Sequence, residues 1–248
     1  MPDRRNSNTP SPRSKRTPRY IDLTLPIEEG MPVWPGDSGP ECAKVRTLKE
    51  DGYVLQTIRF SNHLGTHLDA PSHVVKGGMA LERIPLETLI GKAVILDFTD
   101  KGKKGRITRE DLHARGDVFR PGARVLLRTG WDRHYGKPFF FQDFPCLTLD
   151  AARDLAKAGV ALLGMDTPSP SPIDDPDQGI HKTLLGAGMV LVEGLANLHR
   201  IRGKECDLIV LPPLFKGFSG SPCRAVALEK GFSGTAAQKT GPPRQKAR

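Results

Sequence analysis

Long apolar runs are missing from this sequence: no stretch approaches the roughly 18 residues of a membrane span. The first residues also lack the apolar centre of a secretory signal. They are rich in Arg and Ser and poor in acid, as a transit peptide is, but Pro10, Pro12 and Pro18 would interrupt the amphipathic helix such a peptide forms. A cytoplasmic protein without a membrane partner is expected. Cysteine is scarce, and Cys42, Cys146, Cys206 and Cys223 stand far apart with no C-x-x-C pair. That argues against a zinc finger or a thioredoxin-like redox pair and predicts buried free thiols. Acid is what the two ends lack. Residues 1–19 hold six Lys or Arg and one acid, residues 230–248 hold five and none, and the chain between carries 26 bases against 27 acids. The net charge of +9 therefore belongs to the ends. Both are rich in Pro, Ser, Thr, Gly and Gln and carry too little apolar surface to fold, which predicts disordered basic tails around a neutral domain at residues 20–229. Such tails can attract nucleic acid or an anionic surface weakly; a nucleic-acid partner is not expected.

A chain of 248 residues suffices for one substantial core. After the first tail, "YIDLTLPIEEGMPVWPGD" reads as a short strand and a loop stiffened by proline, with Trp34 between Pro32 and Pro35. "YVLQTIRF", Tyr53 to Phe60, reads as a strand. Five further runs of strand length follow: "AVILDF" from Ala93, "RVLLRTG" from Arg124, "VALLGMD" from Val160, "MVLVEGL" from Met189 and "DLIVLP" from Asp207. Thr108 to Ala114 and Thr148 to Ala158 look helical. Runs that are apolar throughout imply strands covered on both faces, so the expectation is a single compact α/β domain with a mixed sheet. No internal repeat is present.

The chemistry concentrates in "SNHLGTHLDAPSHV", Ser61 to Val74, which holds three of the seven histidines and an aspartate. One straight strand would hold His63 and His67 roughly 13 Å apart, too far to share an ion. A helix would turn Asp69 and His73 away and would have to accommodate Gly65 and Pro71. A bent, non-repeating loop fits better, with Gly65 permitting an unusual backbone angle. Two apolar runs carry carboxylates, Asp166 and Glu193. Burying a carboxylate costs several kcal/mol unless it is paired or holds a cation, so Glu193 needs a partner, either an Arg or Lys or a metal. His181 lies twelve residues before it, with "KTLLGAG" between, enough for a helical turn and a glycine-rich reversal. His63, His67, Asp69, His181 and Glu193 together form an imidazole and carboxylate set without thiolate, which suits Zn²⁺ or Mn²⁺ in a catalytic site.

"HLGTHLDAPSH" resembles, at each fixed position, the H-x-G-T-H-x-D-x-P-x-H signature of the cyclase-like metal hydrolases, whose best-defined members are bacterial kynurenine formamidases. "RTGW", "GMDTPSPSP", "HKTLLGAGMVLVEGLANL" and "SPCRAV" are similar too, and the likeness runs in register from about Tyr20 to Glu229. It implies a compact α/β fold of the swivelling β/β/α type, a dimer or larger homo-oligomer, and one or two Zn²⁺, or Mn²⁺, per chain. His63, His67 and Asp69 would hold a first metal. His181 and Glu193, with Asp69 bridging, would complete a second position. His73 is left without a metal and is the acid/base in that family. A metal ion lowers the pKa of bound water toward about 7, and an unligated histidine can protonate the leaving nitrogen. The implied activity is hydrolysis of N-formylkynurenine or a similar small aromatic amide, with Trp34 and Phe60 as candidates to stack on the ring. Isatin hydrolases share the signature, which makes hydrolysis of a cyclic amide or lactone the alternative. A non-catalytic protein docking through its basic tails ranks below both, since it would have no use for His73.

Overall fold

The five long apolar runs all become strands of one sheet in a computed structural model of the chain, which describes residues 17–116 and 119–229. The expected tails at residues 1–16 and 230–248 lie outside the described residues. Arg19, assigned to the N-terminal tail by its charge, instead begins the first strand, β1 (Arg19–Asp22). Its guanidinium donates to the Glu229 carboxylate at 2.8 Å, which ties it to the far end of the domain.

A hairpin follows, made of β2 (Glu41–Arg46), the single turn α1 (Leu48–Asp51) and β3 (Leu55–Arg59). The expected strand at Tyr53 to Phe60 is therefore present, but it pairs with β2 alone and every residue of both strands is exposed. Its β-branched and aromatic composition marks a strand without marking burial. The histidine stretch contains β4 (His67–Asp69), and α2 (Leu86–Leu89) leads into β5 (Ile90–Asp97). Next come β6 (Arg106–Ile107), α3 (Arg109–Arg115), β7 (Arg124–Arg128), β8 (Cys146–Leu147), α4 (Leu149–Lys157), β9 (Leu162–Met165), α5 (Gly179–Gly186) and β10 (Val190–Glu193). The chain ends its described part with β11 (Glu205–Leu211), β12 (Gly220–Pro222) and β13 (Arg224–Glu229).

The nine-stranded mixed sheet has the order β1-β13-β11-β5-β7-β9-β10-β4-β12. Its centre, β5-β7-β9-β10, is parallel, and the flanks are antiparallel. Parallel neighbours require crossovers, which α3, α4 and α5 supply. Thr108 caps α3 in a capping box with Asp111, and Thr148 caps α4, so both helices start where the sequence places them. On the helical face Leu112, Leu155 and Leu184 pack with Val125, Leu127, Leu163 and Leu191. On the other face Leu126, Leu162, Val190 and Val192 meet Ile21, Leu68, Leu208 and Ala225. Each such side chain, fully buried, contributes roughly 1.5–3 kcal/mol. Apolar runs covered on both faces hold for β7, β9 and β10. β11 differs: Leu208 and Val210 are buried while Leu211 is exposed, so "DLIVLP" is covered on one face only. Among the described residues no helix is long and apolar enough to cross a membrane.

Candidate metal centre

The centre lies beyond the carboxyl end of β10, where the sheet changes from parallel to antiparallel. β4 runs antiparallel to β10 with His67 opposite Glu193, and β12 closes its other side with Pro222 opposite His67. Alternate residues of a strand share a face, so His67 and Asp69 converge within β4. The expectation of a loop throughout this stretch is thus corrected in its middle third. The flanks are irregular. Gly65 takes φ +60°, which brings His63 back over the strand, and a 3-10 turn at Pro71–His73 returns His73 from the other side.

Close packing fixes this arrangement. Thr66 Oγ1 donates to the Gly194 carbonyl at 2.6 Å and accepts from Leu25 N at 2.8 Å. Gly194 has φ +63°, and a Cβ there would stand 2.5 Å from the Gly65 carbonyl oxygen. A Cβ on Gly220 would meet His63 Cε1 at 2.6 Å. The backbones on either side of the site approach too closely for any side chain.

His63 Nδ1 is 2.6 Å from Asp69 Oδ1, and His67 Nε2 is 3.3 Å from the same oxygen and 3.5 Å from Glu193 Oε2. His181, in the first turn of α5, places Nε2 3.2 Å from Glu193 Oε1. The Gly65 carbonyl lies 3.1 Å from His67 Nδ1 and can only accept, so Nδ1 carries the proton and Nε2 is free to bind a cation. Ser171 Oγ, 2.9 Å from His181 Nδ1, can hold that ring in the same tautomer. Two donor groups result, His63 with His67 and Asp69, and Asp69 with His181 and Glu193. The sequence-predicted ligands therefore assemble, with Asp69 shared.

The donor chemistry fits divalent cations. Asp69 and Glu193 are buried, and among the described residues the only charged partners within 4 Å of either carboxylate are these imidazoles. An Arg or Lys partner for Glu193 is excluded among the described residues. Burial, then the nearby Asp69 carboxylate, pushes the Glu193 carboxyl up, while the imidazoles hold Asp69 well below the usual carboxylate range against its own desolvation. Burial lowers the affinity of His67 for a proton, yet Asp69 and Glu193 outweigh it and raise the ring to about 9. Two carboxylates and three imidazoles packed this closely need positive charge, and protons or cations can supply it. Cys223, beside the site, is pushed up to about 12 by burial and by Asp69, so it remains a thiol.

His73 belongs to neither donor group. Its ring lies against His63 with centroids 4.0 Å apart and is 6.2 Å from His181, and neither nitrogen has a hydrogen-bond partner among the described residues. Burial pushes it down to about 4, Asp69 opposes this, and the neighbouring histidines add to it. It is a neutral imidazole facing a cavity of about 350 Å³. That volume suits a small organic molecule.

The family model described as "Putative cyclase" matches residues 21–172. The chain belongs to this cyclase family. The match includes the whole histidine stretch and stops short of His181 and Glu193, which the fold brings to it. A kynurenine formamidase of Bacillus mycoides (strain KBAB4) is 32% identical over 214 residues, covering 85% of this chain and 98% of that protein. A solved structure described as "Potential Metal-Dependent Hydrolase With Cyclase Activity" superposes with a TM-score of 0.74 at 29% identity, covering 87% of this chain and all of that one. Isatin hydrolase A from Labrenzia aggregata, bound to benzyl benzoate, gives a TM-score of 0.78 at 26% identity over 86% of this chain and 94% of its own.

In this cyclase-family chain Trp34 lines the cavity, packed edge-on against Phe141 at 5.9 Å and Phe144 at 6.3 Å. Phe60, just past β3 and half-buried, is not among the lining residues. Sequence reasoning missed Tyr135 and Phe141, which complete the aromatic wall with Trp34, and it missed Ser171. The "FFF" run at 139–141 was the available signal. Asp166, the second carboxylate noted in the apolar runs, lies away from the metal groups: it accepts from Thr129 N, Thr129 Oγ1 and Gly130 N at 2.5–3.0 Å. Cys146, Cys206 and Cys223 are buried free thiols as expected, whereas Cys42 is exposed on β2.

Proposed function

We propose that this chain is a metal-dependent amidohydrolase of aryl formamides that converts N-formylkynurenine to kynurenine and formate. One observation carries the reading: a neutral imidazole, His73, without a hydrogen-bond partner among the described residues, held beside five metal-binding side chains, with Asp69 and Glu193 buried, in an aromatic-walled cavity. The similarity to kynurenine formamidases over nearly their whole length supports the substrate. Zn²⁺, or Mn²⁺ in its place, would be held by His63, His67 and Asp69 and by His181 and Glu193 through the shared Asp69. When bound, such a cation polarises the carbonyl oxygen and acidifies water.

The residues of the chain do the rest. Trp34, Tyr135 and Phe141 place the ring of the substrate and exclude water. Ser171 and the Gly65 carbonyl keep two ligating rings in their working tautomers. His73, unprotonated at neutral pH, can take a proton from the attacking water and return it to the aryl nitrogen as the C–N bond breaks. We also propose a homo-oligomer, which the sequence resemblance implies. A second reading, hydrolysis of a cyclic amide such as isatin, uses the same chemistry and is favoured by the likeness to isatin hydrolase A. Metal-loaded protein assayed on N-formylkynurenine, isatin and a lactone separates them. Formate release from the first, abolished by a chelator and weakened more on aryl than on alkyl formamides in Trp34→Ala, is expected. Opening of isatin or the lactone without formate release would replace the formamidase reading with the second.

A further inference from the structure

The outer half of the cavity has a charge of its own. Trp34 and Asp37 occupy the two ends of one β-turn, closed by Asp37 N donating to the Trp34 carbonyl at 2.9 Å. Gly36 supplies the positive φ, +98°, that such a turn requires after Pro35. Both side chains line the cavity. The Asp37 carboxylate is exposed and has no ion pair or hydrogen bond among the described residues. Among the described residues no lysine or arginine lines the cavity, and Asp37 is the only lining carboxylate besides Asp69 and Glu193. The phenol of Tyr135, another lining residue, is raised first by burial and then by Glu28. Aromatic faces beside an unpaired carboxylate, with no competing cation, are the composition that attracts an organic ammonium group.

Resting on the amidohydrolase reading, we propose that Asp37 is a specificity residue and that the preferred substrates are aryl amides bearing a protonated amino group at the end remote from the amide. The reacting group faces the histidines and carboxylates while the ammonium lies between the indole of Trp34 and Asp37. N-Formylkynurenine carries such an ammonium group, next to an α-carboxylate, and isatin carries neither.

The test separates charge recognition from turnover. Binding of phenethyltrimethylammonium, which cannot ligate a metal, and of neutral 3-phenylpropan-1-ol is measured by calorimetry on metal-loaded wild type, Asp37→Asn and Asp37→Lys. For an exposed ion pair the Kd of the cation should rise about two- to fivefold in Asp37→Asn and further in Asp37→Lys. The Kd of the alcohol should change less than twofold. In parallel, kcat/KM for N-formylkynurenine should fall relative to that for formanilide, which has no amino group. Equal effects on cation and alcohol, or none on either, would overturn the assignment. If the cation contrast holds while neither formamide is hydrolysed, Asp37 keeps its role and the formamidase reading is the one that fails.

Discussion

Among single residues, His73 and His67 differ by one measurable consequence. Both belong to the same stretch, and both rings touch His63. His67 presents Nε2 to two buried carboxylates, whereas His73 presents its nitrogens to the cavity. Replacing His67 with Ala leaves Asp69 and Glu193 facing each other with one fewer compensating group, so metal content and thermal stability should fall together. Replacing His73 with Ala should leave metal stoichiometry and melting temperature near wild type and lower kcat on the order of 10²- to 10⁴-fold, the range for a general acid/base. Elemental analysis decides the matter: loss of metal from His73→Ala would make that residue a ligand and refute its assigned role.

Secondary-structure elements carry the second lesson, which concerns a carboxylate with no metal to hold. Asp166 closes β9 and takes its three donors from Thr129 and Gly130, at the start of the excursion that carries Tyr135, Phe141 and Phe144. It thereby anchors the aromatic wall. Burial pushes its carboxyl up to about 7 against those donors. A folded-state pKa above the unfolded value means that the folded chain binds the proton more tightly. The resulting stability is fully present below the ordinary value of 3.8 and is lost as pH rises through about 7. The melting-temperature advantage of wild type over Asp166→Asn should therefore shrink from about pH 4 to pH 7. A constant difference across that range would contradict the assigned titration. What the sequence made legible follows the same division. β7, β9 and β10 could be read because strands covered on both faces leave unbroken apolar runs, and α3 and α4 because Thr108 and Thr148 cap them. The candidate ligand set could be read because five residues of three metal-binding types, His, Asp and Glu, fall in two short segments, 63–69 and 181–193. β4 and β12, at three residues each, could not, since only their long-range pairing makes them strands. The strand at Tyr53 to Phe60 could be read as well, but its composition gave no sign that both strands of the β2–β3 hairpin are exposed. Phe141 reaches the cavity packed against Trp34 and Tyr135 packed against Phe140, tertiary contacts of which spacing gives no sign.

For the molecule as a whole, the question is where the working domain begins and ends. Charge alone draws the N-terminal limit after Arg19, but pairing draws it earlier. All four residues of β1 pair with β13. Arg19 donates to Glu229 and to the Arg200 carbonyl, both at 2.8 Å, and Glu229 also accepts from Arg202 N at 2.7 Å. Ile21 and Leu23 are fully buried, and each contributes roughly 1.5–3 kcal/mol. Against a total stability of about 5–15 kcal/mol, removing this segment takes away a large share. Deleting residues 1–16 and 230–248, whose composition gives them little to bury, should leave melting temperature and kcat nearly unchanged. Extending the N-terminal deletion through Asp22 should leave little folded protein. The same series assigns the basic charge: the chain between the ends is nearly neutral, so retention on immobilised DNA at low salt should vanish with the shorter deletion. A truncated enzyme that keeps its activity and still binds DNA would place the basic surface on the domain itself. One that loses activity with the shorter deletion would mean that residues outside 17–229 take part in the site.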